Sequence, residues 1–141
     1  MASTNPTSAE IRDLLRTART IAVVGLSPKP DRDSHRVALY MQRRGYTIVP
    51  VNPGHPMILG APCYPRLGVI PAATPIDIVN LFRRSAEVGP HVDEAIARGV
   101  RAVWMQLGIA DDAAAERARA AGLLVVMNRC IMVDHAALIS R

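Results

Sequence analysis

The chain is short of acidic residues, aromatic rings and thiols. Twelve Asp and Glu stand against seventeen Lys and Arg in 141 residues, a formal charge of +5, and every cation but Lys29 is an arginine. A surplus of that sign favours anionic partners, either nucleic acid or a phosphate-rich small molecule. An alanine- and arginine-rich composition can also produce arginines that have no ligand at all. Phe, Trp and Tyr make up only 4% of the chain, and no basic run interleaves with Tyr40, Tyr46, Tyr64, Phe82 or Trp104. A stacking surface for single-stranded nucleic acid is therefore not expected. The two cysteines, Cys63 and Cys130, cannot make a disulfide framework, so a reduced, cytoplasmic setting is expected. No run approaches the roughly 18 apolar residues of a membrane helix, and Met1–Asp13 carries no apolar block or cleavage-like site. Neither membrane nor secretion is expected. What remains is half apolar and 21% charged, enough to fill the core of a single domain, 1–141.

Five short apolar runs have the length of buried strands: Ile21–Val24, Thr47–Val51, Ile76–Leu81, Ala102–Met105 and Leu123–Met127. They are β-branched and nearly continuous, as strands covered on both faces are. Helical stripes lie between them. Val37, Tyr40, Met41 and Arg44 recur at i, i+3, i+4, i+7 over 35–44, and Val88, Val92, Ala95 and Ile96 do so over 88–98. Residues 111–121 are alanine-rich and open with acid at the positive end of the dipole. Ser8–Thr17 reads as a leading helix on Ile11, Leu14 and Leu15. Gly45, Gly99 and Gly122 each end a helix just before a strand, so one αβ joint recurs three times. The pattern predicts an α/β, Rossmann-like three-layer domain with a mainly parallel five-stranded sheet. The proline-rich stretch 53–75 breaks the rhythm and is expected to hold loop and one short helix.

Ligands of an open parallel sheet bind beyond the carboxyl ends of its strands. After the first strand comes Gly25-Leu26-Ser27-Pro28-Lys29, followed by Arg32 and a helix start near Ser34. Gly25 permits a tight turn, free N–H groups at the helix start attract phosphate, and Lys29 and Arg32 add charge-assisted bonds. Ser27 and Ser34 read either as ligand contacts or as turn and cap residues. Asp31 and Asp33 are expected to face solvent or cap the helix. The other strand ends carry Asn52-Pro53, Phe82-Arg83, Gln106-Leu107 and Asn128-Arg129-Cys130. No carboxylate pair is poised there for acid–base work. Ser27 and Pro30 occupy the second and third glycine positions of a dinucleotide fingerprint, and Asn52 stands where a ribose-binding acid would be. NAD is disfavoured.

The blocks Ala22-Val23-Val24-Gly25-Leu26-Ser27 and Arg43-Arg44-Gly45-Tyr46-Thr47-Ile48-Val49-Pro50-Val51-Asn52-Pro53 resemble the stand-alone CoA-binding domain proteins. These are small Rossmann-like proteins similar to the CoA-binding domain of the succinyl-CoA synthetase α subunit. The likeness continues through Asp77–Arg83, Val103–Ile109 and Asn128–His135, from about Arg12 to Leu138. It implies coenzyme A as the ligand. Gly25, Leu26, Ser27 and Lys29 would meet its phosphates, and Asn52 and Pro53 would border the nucleotide. Phe82 and Arg83 would wall the adenine or phosphate side, and Met105-Gln106-Leu107 matches the segment that contacts CoA in the synthetases. Phe82 reads equally as core, and Arg83 as solvated surface. The synthetase histidine lies in a domain this chain lacks, so no catalytic residue is assigned and the ligase activity is not carried over. Two other readings stay open. One is a small subunit of an acyl-CoA synthetase acting with separate catalytic chains, and the other is a nucleotide-sensing regulatory module, although no helix-turn-helix is present.

Cys130 and His135 have near-metal spacing without a second pair, so no metal is expected. His55 and His91 read as exposed loop residues, His135 as a structural contact and Cys63 as a packing residue. Cys130 is either a buried small hydrophobe or a thiol at the crevice, with Arg129 beside it to favour thiolate.

Overall fold

A computed structural model describes residues 5–139; Met1–Thr4 and Ser140–Arg141, the ends of the expected domain, lie outside the described residues. The elements in chain order are α1 (Ser8–Thr17), β1 (Thr20–Val24), α2 (Asp33–Arg43), β2 (Thr47–Val51), β3 (Met57–Ile58), β4 (Ala61–Pro62), β5 (Ile78–Leu81), α3 (Gly89–Arg98), β6 (Ala102–Met105), α4 (Asp112–Ala120), β7 (Leu124–Val126) and α5 (Ile131–Leu138). Short 3-10 turns occupy Leu67–Val69 and Ser85–Glu87.

Five strands form one parallel sheet in the order β2-β1-β5-β6-β7. The α/β, Rossmann-like expectation therefore holds, with every pairing in the sheet parallel. Pro50 lies in the edge strand β2, where a missing N–H costs no ladder bond, and its carbonyl accepts from the Tyr64 N–H. Side chains alternate between two cores. Ala22, Val24, Val79, Leu81, Val103 and Met105 pack beneath α3 and α4. Ile21, Val23, Ile78 and Trp104 pack beneath α1, α2 and α5. At the three repeated joints Gly45, Gly99 and Gly122 all take positive φ, as the helix-to-strand turn requires.

Two features depart from the sequence reading. Within the proline-rich stretch the 3-10 turn is accompanied by a small antiparallel hairpin, β3–β4. The chain also closes with α5, a helix with no apolar stripe: Ile131, Met132, Val133, Ala136, Ala137 and Leu138 surround it, and periodicity has nothing to detect.

The strand order reverses between β1 and β5. β1 leads through α2 outward to β2, and the chain then returns across β1 to continue on its other side. A ligand site belongs at that point, above the carboxyl ends of β1 and β5.

Candidate functional site

Gly25 follows β1 at the reversal. Its φ is +85°, and a Cβ there would lie 2.5 Å from the Phe82 carbonyl oxygen. Only glycine allows the β1 turn to sit flush on the β5 end, where the Phe82 N–H donates to Val24 O at 2.9 Å. The loop that follows is held from within. The Ser34 hydroxyl accepts from the Ser27 N–H at 2.9 Å, and the Ser27 hydroxyl accepts from the Lys29 N–H at 3.1 Å. From the β2 end, the Asn52 amide donates to Leu26 O at 2.7 Å. Asn52 and Ser34 thus shape the loop with the very groups that sequence reading offered to a ligand.

Two cavities open on this crest. The smaller, about 310 Å³, is polar and is walled by Gly25, Ser27, Asp31, Arg32, Asp33, Ser34 and Phe82, at the N-terminus of α2. The larger, about 520 Å³, is mostly apolar and runs between α2 and α5 over β5 and β6. Its walls include Arg36, Val37, Phe82, Arg83, Gln106, Leu107, Ile109, Cys130, Met132 and Val133. Phe82 and Asp33 belong to both, so the two form one continuous depression. Leu107 and Val133 are the apolar lips, 68% and 58% exposed.

The expected residues divide accordingly. Gly25, Ser27, Arg32, Ser34, Phe82, Arg83, Gln106 and Leu107 line the depression. Leu26 and Met105 do not: both are fully buried, Leu26, in the loop after β1, beneath the α1/α2/α5 layer, and Met105, where the alternation of β6 turns it, beneath α3/α4. Lys29 and Pro53 are exposed and stand outside both sets of walls. Asp33 does not cap α2; its carboxylate pairs with Arg36.

The wall that sequence reading did not anticipate is α5, and a buried polar relay anchors it. Asn80, on β5, donates from Nδ2 to Trp104 O at 3.3 Å and to Gln106 Oε1 at 3.2 Å. The same Oε1 accepts from the Ile131 N–H, the first of α5, at 3.3 Å. Trp104 Nε1 donates to Arg129 O at 2.8 Å and fixes the turn before the helix. The Arg129 guanidinium is held bidentately by the buried Asp134 carboxylate, both contacts 2.7 Å, so its charge is directed into α5 rather than at Cys130. A polar residue inside an apolar strand, as Asn80 is, was the available signal for this relay.

His135, on the inner side of α5, is 6% exposed; burial, then the nearby Arg44 charge, lowers its pKa. Burial likewise lowers that of His91, followed by Arg83, so His91 is a half-buried side chain rather than an exposed loop residue. Cys63 donates to Asn52 O at 3.4 Å, and burial pushes its thiol pKa up. Among the described residues no three His, Cys, Asp or Glu side chains gather as a metal site, and no helix is long and apolar enough to cross a membrane.

Fold and crest together define a parallel α/β, Rossmann-like domain with a depression at the strand-order reversal. Residues 19–136 match the family model for the CoA binding domain, and the chain belongs to that family. It is 42% identical over 132 residues to an uncharacterised Bacillus subtilis protein, YneT, covering 94% of this chain and 96% of that one. Among solved structures it is similar to a hypothetical protein from Pyrococcus horikoshii OT3, with 38% identity and a TM-score of 0.91, covering 99% of this chain and 100% of that one. The fold also recurs in a dinucleotide-forming acetyl-coenzyme A synthetase of Ca. Korarchaeum cryptofilum, at 23% identity and TM-score 0.70 over 82% of this chain and 28% of that one.

Proposed function

We propose that this protein binds coenzyme A, free or acylated, along the crest depression and does so without catalysing a reaction itself. One observation carries the reading: a polar cavity at Gly25 and the α2 N-terminus continues into a mostly apolar one across Phe82 and Asp33. A ligand with a polyanionic head and a long, less polar arm matches both halves. The pyrophosphate lies against the first N–H groups of α2 and Arg32, where a helix N-terminus favours negative charge. The pantetheine arm crosses Phe82 toward Leu107, Cys130 and Met132. Arg83, 40% exposed and paired with Glu87 at 3.5 Å, stands beside the crossing and adds a cation. NAD fits less well, because Asn52 closes β2 where the dinucleotide fingerprint has its ribose-binding acid, and its amide is already given to Leu26 O.

Calorimetry with coenzyme A and NAD tests this, together with mass spectrometry of whatever co-purifies. Coenzyme A binds, and Arg83→Ala weakens it by about 1–3 kcal/mol, the range for a charge-assisted, partly desolvated bond. NAD binding as tightly as coenzyme A overturns the assignment.

A further inference from the structure

We propose that the apolar half of the crest reads a carbonyl: Gln106 donates from Nε2 to an amide carbonyl of the pantetheine arm, and so selects an amide-bearing arm over a plain hydrocarbon one. This rests on the coenzyme A reading above and gives the arm its polar contact.

The buried relay fixes which end of the Gln106 amide a ligand meets. Oε1 faces the Ile131 N–H at 3.3 Å and Asn80 Nδ2 at 3.2 Å. A backbone N–H can only donate, so an inverted amide would set two donors against each other. The oxygen is therefore held toward the relay and Nε2 is turned away from it. Gln106 is 5% exposed, and the little surface it keeps opens on the mostly apolar cavity that it lines. Among the described residues Nε2 has no hydrogen-bond partner, and it is not one of the polar atoms sealed inside the protein. The charged and hydroxyl side chains on the same walls are already engaged. Asp33 pairs with Arg36, Arg83 and Arg84 pair with Glu87, and the Ser85 hydroxyl accepts from the Ala110 N–H at 3.0 Å. A donor this deeply buried is costly until something accepts from it. A few such groups are what orient a ligand in an apolar pocket.

Place in the sheet identifies the acceptor. Gln106 follows β6 as Phe82 follows β5, and its N–H donates to Leu81 O at 3.2 Å. Only one strand spacing, about 4.8 Å, separates it from the crossing at Phe82. An arm that enters there from the phosphates presents its amides before its sulfur. The amide carbonyls are thus the acceptors beside Gln106, and the carbonyl of a thioester lies farther along.

Calorimetry tests this with coenzyme A, acetyl-coenzyme A and adenosine 3′,5′-bisphosphate (the head without the arm), each titrated into the wild type and Gln106→Glu. Glutamate keeps one oxygen for Asn80 and Ile131, so the relay survives, but it turns an acceptor toward the arm. At about pH 8 the preference for coenzyme A over the bisphosphate falls about tenfold or more in the variant, and acetyl-coenzyme A follows coenzyme A. Protonation of the oxygen facing the cavity returns a donor there. Acidification to about pH 5 therefore restores the preference in the variant relative to the wild type, a profile that a merely structural role does not produce. A preference unchanged in Gln106→Glu overturns the proposal and leaves coenzyme A binding intact. A loss that acidification does not reverse overturns it too, and so does a loss confined to acetyl-coenzyme A, which assigns Nε2 to the thioester carbonyl. Failure of all three probes to bind the wild type removes the coenzyme A reading and this extension together.

Discussion

Gly25→Ala places a methyl group where the fold has no room. Two costs combine. An L-residue at φ +85° bears about 1–2 kcal/mol of left-handed strain. The new Cβ, 2.5 Å from the Phe82 carbonyl oxygen, also meets backbone rather than a side chain that could swing aside. Relief requires the β5 end to retreat from β1, which strains the Phe82 N–H to Val24 O bond, a net contribution of about 0.5–1.5 kcal/mol. The sum is about 1.5–3.5 kcal/mol. Gly99→Ala supplies the control: its φ is +72°, yet nothing lies within 4 Å of its Cβ position, so it bears the strain alone. Urea unfolding of both variants isolates the close contact. Gly25→Ala should lose about 0.5–1.5 kcal/mol more than Gly99→Ala, a midpoint difference of about 0.5 M at ordinary m-values. Because the shift falls at the reversal of strand order, coenzyme A affinity should drop in Gly25→Ala and hold in Gly99→Ala. Equal stability losses in the two variants would refute the claim that β1 and β5 fit together through this glycine.

Gln106→Leu should cost about 1–3 kcal/mol in urea unfolding, because the buried Ile131 N–H and one bond of Asn80 lose their acceptor. Adding Asn80→Leu should then cost less than it does in the wild type, and strict additivity in that double-mutant cycle would sink the relay. Stability should fall on acidification. His135 and His91 have lowered folded pKa values, so the unfolded chain binds more protons as pH drops through and below the ordinary histidine value of about 6.5. His135→Gln should flatten that dependence, and a melting temperature insensitive to pH between about 7 and 5 would count against it. With oxidised coenzyme A, the Cys130 thiolate attacks the disulfide, forms Cys130–S–S–CoA and releases one coenzyme A thiolate. Peptide mapping should find the adduct on Cys130, which lines the crest, and not on Cys63, whose thiol is held against Asn52 O; an adduct on Cys63 alone would show the arm runs elsewhere.

The fold was legible because its signals are local and repeated. Each β-branched run needs cover on both faces, and each helix shows a stripe that provides it. Gly45, Gly99 and Gly122 mark the same joint three times, so one error could not have changed the architecture. α5 was illegible for the complementary reason. It is apolar nearly all round, because its inner side fills the core around Ile131 and its outer side presents Met132 and Val133 to the crest. Neither demand leaves a polar face.

The crest was legible as a set of strand ends but not as a set of side-chain partners. Strand ends identify which residues gather at the crest; they do not say which of those residues are already spent. Asn52 and Ser34 are of the type that binds nucleotides and stand at the right places, yet each gives its polar group to the Gly25–Lys29 loop. Gln106 likewise divides its Oε1 between Asn80 and the first N–H of α5. Such bonds join residues far apart in sequence and follow from the register of β1, β2, β5 and β6, which no local pattern encodes. Charge misleads in the same way. Arg129 stands beside Cys130 in sequence and reads as its activator, but Asp134, one turn into the helix, takes the guanidinium with both oxygens. Arg43 and Arg44, at the C-terminal end of α2, form no ion pair among the described residues, and in the sequence Arg44 reads as the end of the helix's apolar stripe. They wall a groove once α5 brings Met132 beside them.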